Sequence, residues 1–185
     1  MSIIVRYASV LLILFFLDCR DTKKIMNQTA AYKFDFYTQY NQFYLTDKNS
    51  PQQTDADGFW NKNAFNERLA VEEGILGVGT ESYGHIRGEL FVLNEENKKA
   101  DYGKYDHIVE AGLEIKSGKL QILDCPNSEI EMEIHLKPGS YCVRVYSSNL
   151  AGSDIDEDEG KDRYRIEIWP GQCNDRIVLK QHNEK

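Results

Sequence analysis

From Glu129 to Leu136 polar and apolar side chains alternate without a break, Glu-Ile-Glu-Met-Glu-Ile-His-Leu. A period of two sets Ile130, Met132, Ile134 and Leu136 on one face of an extended strand, whereas a helix would need spacings of three and four. The same alternation returns in Leu113 and Ile115, in Leu120 and Ile122, in Tyr141, Val143 and Val145, and in Tyr164, Ile166 and Ile168, each run closed by turn residues. Strands that are wet on one face pair into sheets that bury the other. The pattern therefore predicts an all-β fold, an antiparallel β-sandwich.

Strands are expected over 75–78, 85–93, 107–115, 119–123, 129–136, 141–146, 163–169 and 176–179. The aromatic-rich stretch 32–47 reads as one long strand bent near 38–42, or as two short ones. Ser117-Gly118 and Pro138-Gly139 suit tight turns. Between them and the amino-terminal strands, Phe65, Leu69 and Val71 fit one short amphipathic helix over 63–73, ended by Gly74. No repeat and no linker divides the chain, so 26–185 reads as a single domain.

Composition supports a folded domain: 185 residues, 41% hydrophobic and 11% aromatic, are enough for a sizeable core. Charge adds a constraint on partners. The formal net charge is −8, and because residues 1–25 carry four bases and two acids, the remainder is more acidic still, at −10. Such a surface repels phosphate backbones, so direct nucleic-acid binding is disfavoured and a basic protein partner is favoured. Simple solubility explains the same charge.

Residues 1–25 have two readings. Arg6 followed by an apolar run from Ala8 to Leu17 and then Asp18-Cys19 has the layout of a secretory leader with a lipid-acceptor cysteine, although Asp18 stands where such leaders carry a small neutral residue. The run is short for a bilayer span. Alternatively, translation starts at Met26 and the domain is cytoplasmic. A membrane enters the picture only through a lipid on Cys19. If Cys19 is lipidated or removed, Cys125, Cys142 and Cys173 remain; with no CxxC spacing they read as buried reduced thiols, with a Cys125–Cys173 bridge the disulfide considered.

Catalytic chemistry is thinly signalled. His135 falls on the glutamate face of its strand, His182 in a polar tail and His85 at a strand entrance. Asp106, His107 and Glu110 form the densest constellation, but on a strand positions 107 and 110 point to opposite faces and share a metal only across a bulge. An enzyme reading rests on that bulge alone. Asp154, Asp156 and Asp158 have the start of a calcium-loop spacing, yet Glu159 stands where glycine is required and Arg165 where the closing glutamate belongs. There is no nucleophile elbow. Gly74, Gly77, Gly79 and Gly84 lack the lysine of a phosphate loop and read as strand and turn. No cofactor and no metal site is expected.

Three segments carry a family resemblance: Tyr40-Asn-Gln-Phe-Tyr-Leu-Thr-Asp47, Pro138-Gly-Ser-Tyr-Cys-Val-Arg-Val145 and Tyr164-Arg-Ile-Glu-Ile-Trp-Pro170. Over about residues 32–179 the chain resembles the bacterial competence protein J family of small proteins that inhibit a DNA-entry nuclease. The resemblance implies a non-enzymatic inhibitor or immunity-type protein, and it carries over no catalytic residue. An acidic sandwich suits that role because carboxylates can occupy a basic active site and steer the encounter. The expected partner contacts are Asp154, Asp156, Glu157, Asp158 and Glu159, with the aromatic rings of Tyr40 and Trp169; Phe43 is expected in the core. The competing reading is an envelope lipoprotein whose sandwich binds a ligand or an envelope component.

Overall fold

The computed structural model describes residues 28–51, 54, 55, 57–152, 159–173 and 175–183. The elements in chain order are β1 (Gln28–Tyr37), β2 (Gln42–Asp47), α1 (Lys62–Asn66), β3 (Leu69–Glu72), β4 (Ile75–Gly79), β5 (His85–Leu93), β6 (His107–Ile115), β7 (Lys119–Leu123), β8 (Ile130–His135), β9 (Gly139–Ser148), β10 (Glu159–Pro170) and β11 (Ile177–Lys180). They form two sheets, a six-stranded one in the order β1-β5-β10-β9-β6-β11 and a five-stranded one in the order β3-β4-β2-β7-β8. The sandwich expected from the alternation is present. Every strand pair is antiparallel except β5 with β10, which run parallel.

The core lies between the sheets and is filled by the alternating positions. Leu90, Val109, Val143, Val145 and Ile166 project from one sheet and Leu45, Leu76, Leu120, Ile122 and Ile134 from the other. At one end four aromatic rings interlock: Phe34, Phe36 and Tyr164 each sit 5.8 to 5.9 Å from Phe43, centroid to centroid. Phe43 is fully buried, as expected. Ile130, by contrast, is 58% exposed: a register shift between Ile122 and Leu123 pairs it with Leu123, an outer-face residue, and so takes it off the face that Met132 and Ile134 share.

The helix expected over 63–73 is only partly right. α1 stops at Asn66, Arg68 takes a left-handed backbone at φ 54°, and 69–72 is strand. Leu69 and Leu76 belong to the core, whereas Phe65 is 59% exposed, so the spacing of four between Phe65 and Leu69 marks no common face. Glu72 pairs with Ile75, which makes Glu73-Gly74 a two-residue hairpin turn rather than a helix end, with Gly74 at φ 72°. α1 and the residues before it cover the outside of the five-stranded sheet, where Phe59 and Ala64 pack on Tyr44, Ala70 and Ile75.

The cysteine expectation is also corrected. Cys142 is bonded to Cys173 with Cα atoms 5.3 Å apart, and Cys125 is the free, buried thiol. Cys142 pairs with Trp169 near the end of β10, and the chain turns back there, which brings Cys173 over Cys142. Cys125 lies at the end of the other sheet, against Tyr44 and Gln42.

Candidate partner-binding end of the sandwich

Three segments meet at one end of the molecule: the turn between β1 and β2, the loop between β4 and β5, and the start of β10. Register places them together, since His85 pairs with Tyr37 on one side and with Glu159 on the other. The turn is built on two consecutive left-handed residues, Tyr40 at φ 55° and Asn41 at φ 54°. A left-handed backbone is costly for a side chain as large as tyrosine, and it persists where the surroundings over-determine it. Here they do. Thr80 N donates to Asn41 O at 2.8 Å, Asn41 Nδ2 donates to Glu81 O at 2.8 Å, and Gln39 N donates to Cys125 O at 2.9 Å. The turn holds Tyr40 outward, 61% exposed, with Tyr83 beside it at 6.1 Å between ring centroids. Tyr37, 40% exposed, meets the His85 ring edge-on at 5.5 Å.

The facing loop is anchored from below by a buried carboxylate. Asp162 accepts from the backbone of Glu81 and Ser82 at 3.1 and 3.2 Å, from the Ser82 hydroxyl and from the Tyr164 hydroxyl. Burial alone would raise its pKa, but these donors outweigh burial and hold the carboxyl below its ordinary range. The Tyr164 phenol, fully buried and beside that carboxylate, is pushed well above its ordinary pKa. Gly160 fits because a side chain there would run into the Ser82 hydroxyl and the His85 carbonyl. Glu81 in turn is ion-paired to Arg68. The result is a hydrogen-bonded platform beneath the exposed Tyr40 ring.

Carboxylates flank those rings. Arg87 donates to Asp35 at 3.0 Å and to Glu159 at 2.9 Å, bridging β1 and β10 across β5. The Arg87 guanidinium holds the Asp35 carboxyl below its ordinary pKa, so Asp35 stays charged at neutral pH. His85 Nδ1 lies 3.6 Å from Asp35, outside hydrogen-bond range.

Of the expected contacts, Tyr40 and Glu159 are thus brought to the same end. Asp154, Asp156, Glu157 and Asp158 lie outside the described residues, in the connection that leads into Glu159, and Cys19 is likewise outside them. Trp169 is elsewhere: ten residues along β10 from Glu159, about 33 Å at strand rise. It is 5% exposed, packed on Phe91, Leu93 and Cys142 under the Arg144 guanidinium at 5.0 Å. Its ring is therefore not presented to a partner. Tyr37, Tyr83, Asp35 and Arg87 are not singled out from sequence, and His85 only as a residue at a strand entrance. Tyr37 was the legible one, since Phe34 and Phe36 set the inner face of β1 and leave an aromatic residue on the outer one.

The Asp106, His107, Glu110 constellation disperses. Asp106 accepts from Leu150 N at 3.0 Å. His107 is fully buried on the inner face, its Nε2 3.0 Å from Glu67 O and its Nδ1 accepting from His182 N at 3.2 Å. That pairing fits a neutral ring that donates from Nε2, and burial pushes its pKa down to about 4. Glu110 faces the other way and binds Arg144 at 2.6 Å. Arg144, nearly buried, also meets Glu96 at 2.8 Å and helps fasten the loop between β5 and β6. Among the described residues no group of three or more metal-ligating side chains converges.

No protein-family model matches the sequence, and no curated protein matches it either. Solved structures do match in shape. One is ComJ from Bacillus subtilis, an inhibitor of the DNA-degrading activity of NucA, with a TM-score of 0.58 and 15% identity over 77% of this chain and 98% of ComJ. Another is the protein of crocagin biosynthetic gene J, with a TM-score of 0.47 and 13% identity over 77% of this chain and 99% of that one. The sandwich described above thus has the fold of ComJ, the fold that the sequence resemblance implied.

Proposed function

We propose that this chain is a non-enzymatic binding protein that inhibits a nuclease or a comparable basic enzyme, docking through the end that carries Tyr40 and Glu159. The observation that carries the reading is the exposed Tyr40 held on a left-handed turn, beside Tyr83 and on the same end as the Glu159 carboxylate. Exposed, rigidly mounted tyrosines are effective interface anchors because they offer area at small entropic cost. Carboxylates at the rim draw a basic partner in and fix its orientation. The likeness to ComJ supports the same reading. Asp154, Asp156, Glu157 and Asp158, which precede Glu159, extend the acidic rim in this proposal.

The test is a DNA-degradation assay with purified protein and a panel of basic nucleases, NucA among them. Stoichiometric inhibition is expected for at least one, reduced by Tyr40→Ala and by joint replacement of the five acidic residues with amides. Undiminished inhibition in both variants would place the contact elsewhere; no inhibition across the panel would remove the nuclease reading.

The Cys142–Cys173 disulfide favours a second reading, an envelope protein anchored by a lipid on Cys19, since disulfides persist in oxidising compartments. Intact-mass analysis of the native protein after membrane fractionation separates the two. A lipid-bearing amino terminus at Cys19 supports the envelope protein, and a soluble form beginning near Met26 supports the cytoplasmic inhibitor.

A further inference from the structure

The outer face of the six-stranded sheet carries a groove of about 520 Å³ whose charge is opposite to that of the whole protein. Lys33, Arg87, Arg163 and Arg165 line it against two acids, Asp35 and Glu89. Register explains the concentration. Outward side chains on adjacent strands form rows, and one row reads Asp35, Arg87, Arg163, Ser148 across β1, β5, β10 and β9. The next reads Lys33, Glu89, Arg165, Tyr146. Arg87 and Arg163 are therefore direct neighbours, a like-charge juxtaposition that destabilises a sheet unless an anion compensates it.

Arg87 is compensated by Asp35 and Glu159, whereas Arg163 has no carboxylate partner among the described residues. Its Nη1 donates to two backbone carbonyls, Gly160 O at 2.9 Å and Asp162 O at 2.7 Å, which fix the guanidinium without neutralising it. Arg165 is held by stacking on the Phe91 ring at 3.8 Å and by two bonds from Nε and Nη2 to Glu167, leaving Nη1 unused among the described residues. Tyr105 supplies a phenol hydroxyl with no hydrogen bond among the described residues, and burial of its ring raises its pKa, so it stays a donor at neutral pH. Lys33 is a freely exposed ammonium at the far wall, 3.9 Å from Glu89.

We propose that this groove is a binding site for a small organic polyanion, a molecule bearing two or more carboxylate or phosphoryl groups, held by Arg163, Arg165, Tyr105 and Lys33. Fixed guanidinium groups with spare N–H donors are suited to planar carboxylate and phosphoryl oxygens. The size fits a compact ligand, within the range of about 300 to 1,000 Å³ for small-molecule sites. Asp35 and Glu89 on the β1 side would repel a long phosphate polymer laid across the groove, which selects against nucleic acid. The proposal does not rest on the inhibitor reading, since it needs no protein partner; Asp35 and Arg87 are shared between the groove and the end proposed to dock, whereas Arg163, Arg165, Tyr105 and Lys33 belong to the groove.

Calorimetric titration of the full chain with citrate and with inorganic phosphate, at low ionic strength, tests it. Saturable one-site binding of citrate is expected, weakened about tenfold by Arg163→Gln, as loss of a charge-assisted hydrogen bond implies. Lys33→Gln, on an exposed side chain that does not bear on folding, should weaken it severalfold, and Lys62→Gln on α1 should leave it unchanged. Absence of saturable binding by both probes overturns the proposal. So does an equal loss in Lys62→Gln and Lys33→Gln, which would show attraction by overall charge alone.

Discussion

At the scale of single residues, Tyr40 and His107 are each held in a state that folding disfavours locally. Asparagine tolerates a left-handed backbone far better than tyrosine does. Tyr40→Asn should therefore leave stability unchanged or raise it by about 0.5 to 1 kcal/mol in chemical denaturation, while removing the ring proposed to meet a partner. A loss of stability would mean that the Tyr83 contact outweighs the backbone cost. His107 yields a pH dependence. Its folded pKa of about 4 lies below the unfolded value near 6.5, so the unfolded state binds more protons between those limits. Its contribution is complete above pH 6.5 and is lost as pH falls towards 4, on the order of 3 kcal/mol in all. Denaturation at pH 7 and pH 5 should show the drop, and His107→Gln should flatten it.

Elements are held together where strands approach more closely than side chains allow, and where the chain is stapled. A methyl group on Gly88 would run into the Phe34 ring and the Tyr164 carbonyl, and the carbonyl belongs to a strand paired on both sides. Gly88→Ala should cost about 2 to 3 kcal/mol through forced movement of β10 or of the aromatic cluster, read from the unfolding midpoint. The disulfide staples the segment leading into β11 to β9, closing a span of 31 residues. Cys173→Ser should cost about 3 kcal/mol. Hydrogen exchange should locate the loosening in β11, a four-residue edge strand paired with β6. Neither feature was apparent from alternation: Gly88 looks like any strand glycine, and the pairing of Cys173 depends on where β10 ends.

For the whole molecule, the net charge of −8 and the groove of opposite sign make different demands on an approaching partner. Association with a basic enzyme should slow steeply as salt rises, because steering acts over distances comparable to the screening length of about 8 to 10 Å. Dissociation should respond less. Stopped-flow measurements at 20 and 200 mM salt would separate the two rates, and an association rate indifferent to salt would remove the steering argument. The same measurement on the five-amide variant should show a shallower salt dependence, with thermal stability changed far less than association, since the Arg87–Glu159 pair it removes is exposed.

Sequence alone determined the all-β class, most strand positions, the buried Phe43 and the split of His107 from Glu110, because a period of two is a local property that any extended strand must obey. It also resolved the likeness to an inhibitor fold. Tertiary structure decided the rest. The 69–72 segment is strand because β4 is there to pair with it. Cys142 finds Cys173 because β10 delivers the chain beside β9. Tyr40 and Glu159, far apart in the chain, share one end, whereas Trp169, only ten residues beyond Glu159, is buried at the other. The arginine groove arises from register between strands distant in sequence, β5 and β10 above all. Contacts of that kind depend on which strands become neighbours, and no local pattern encodes the neighbour.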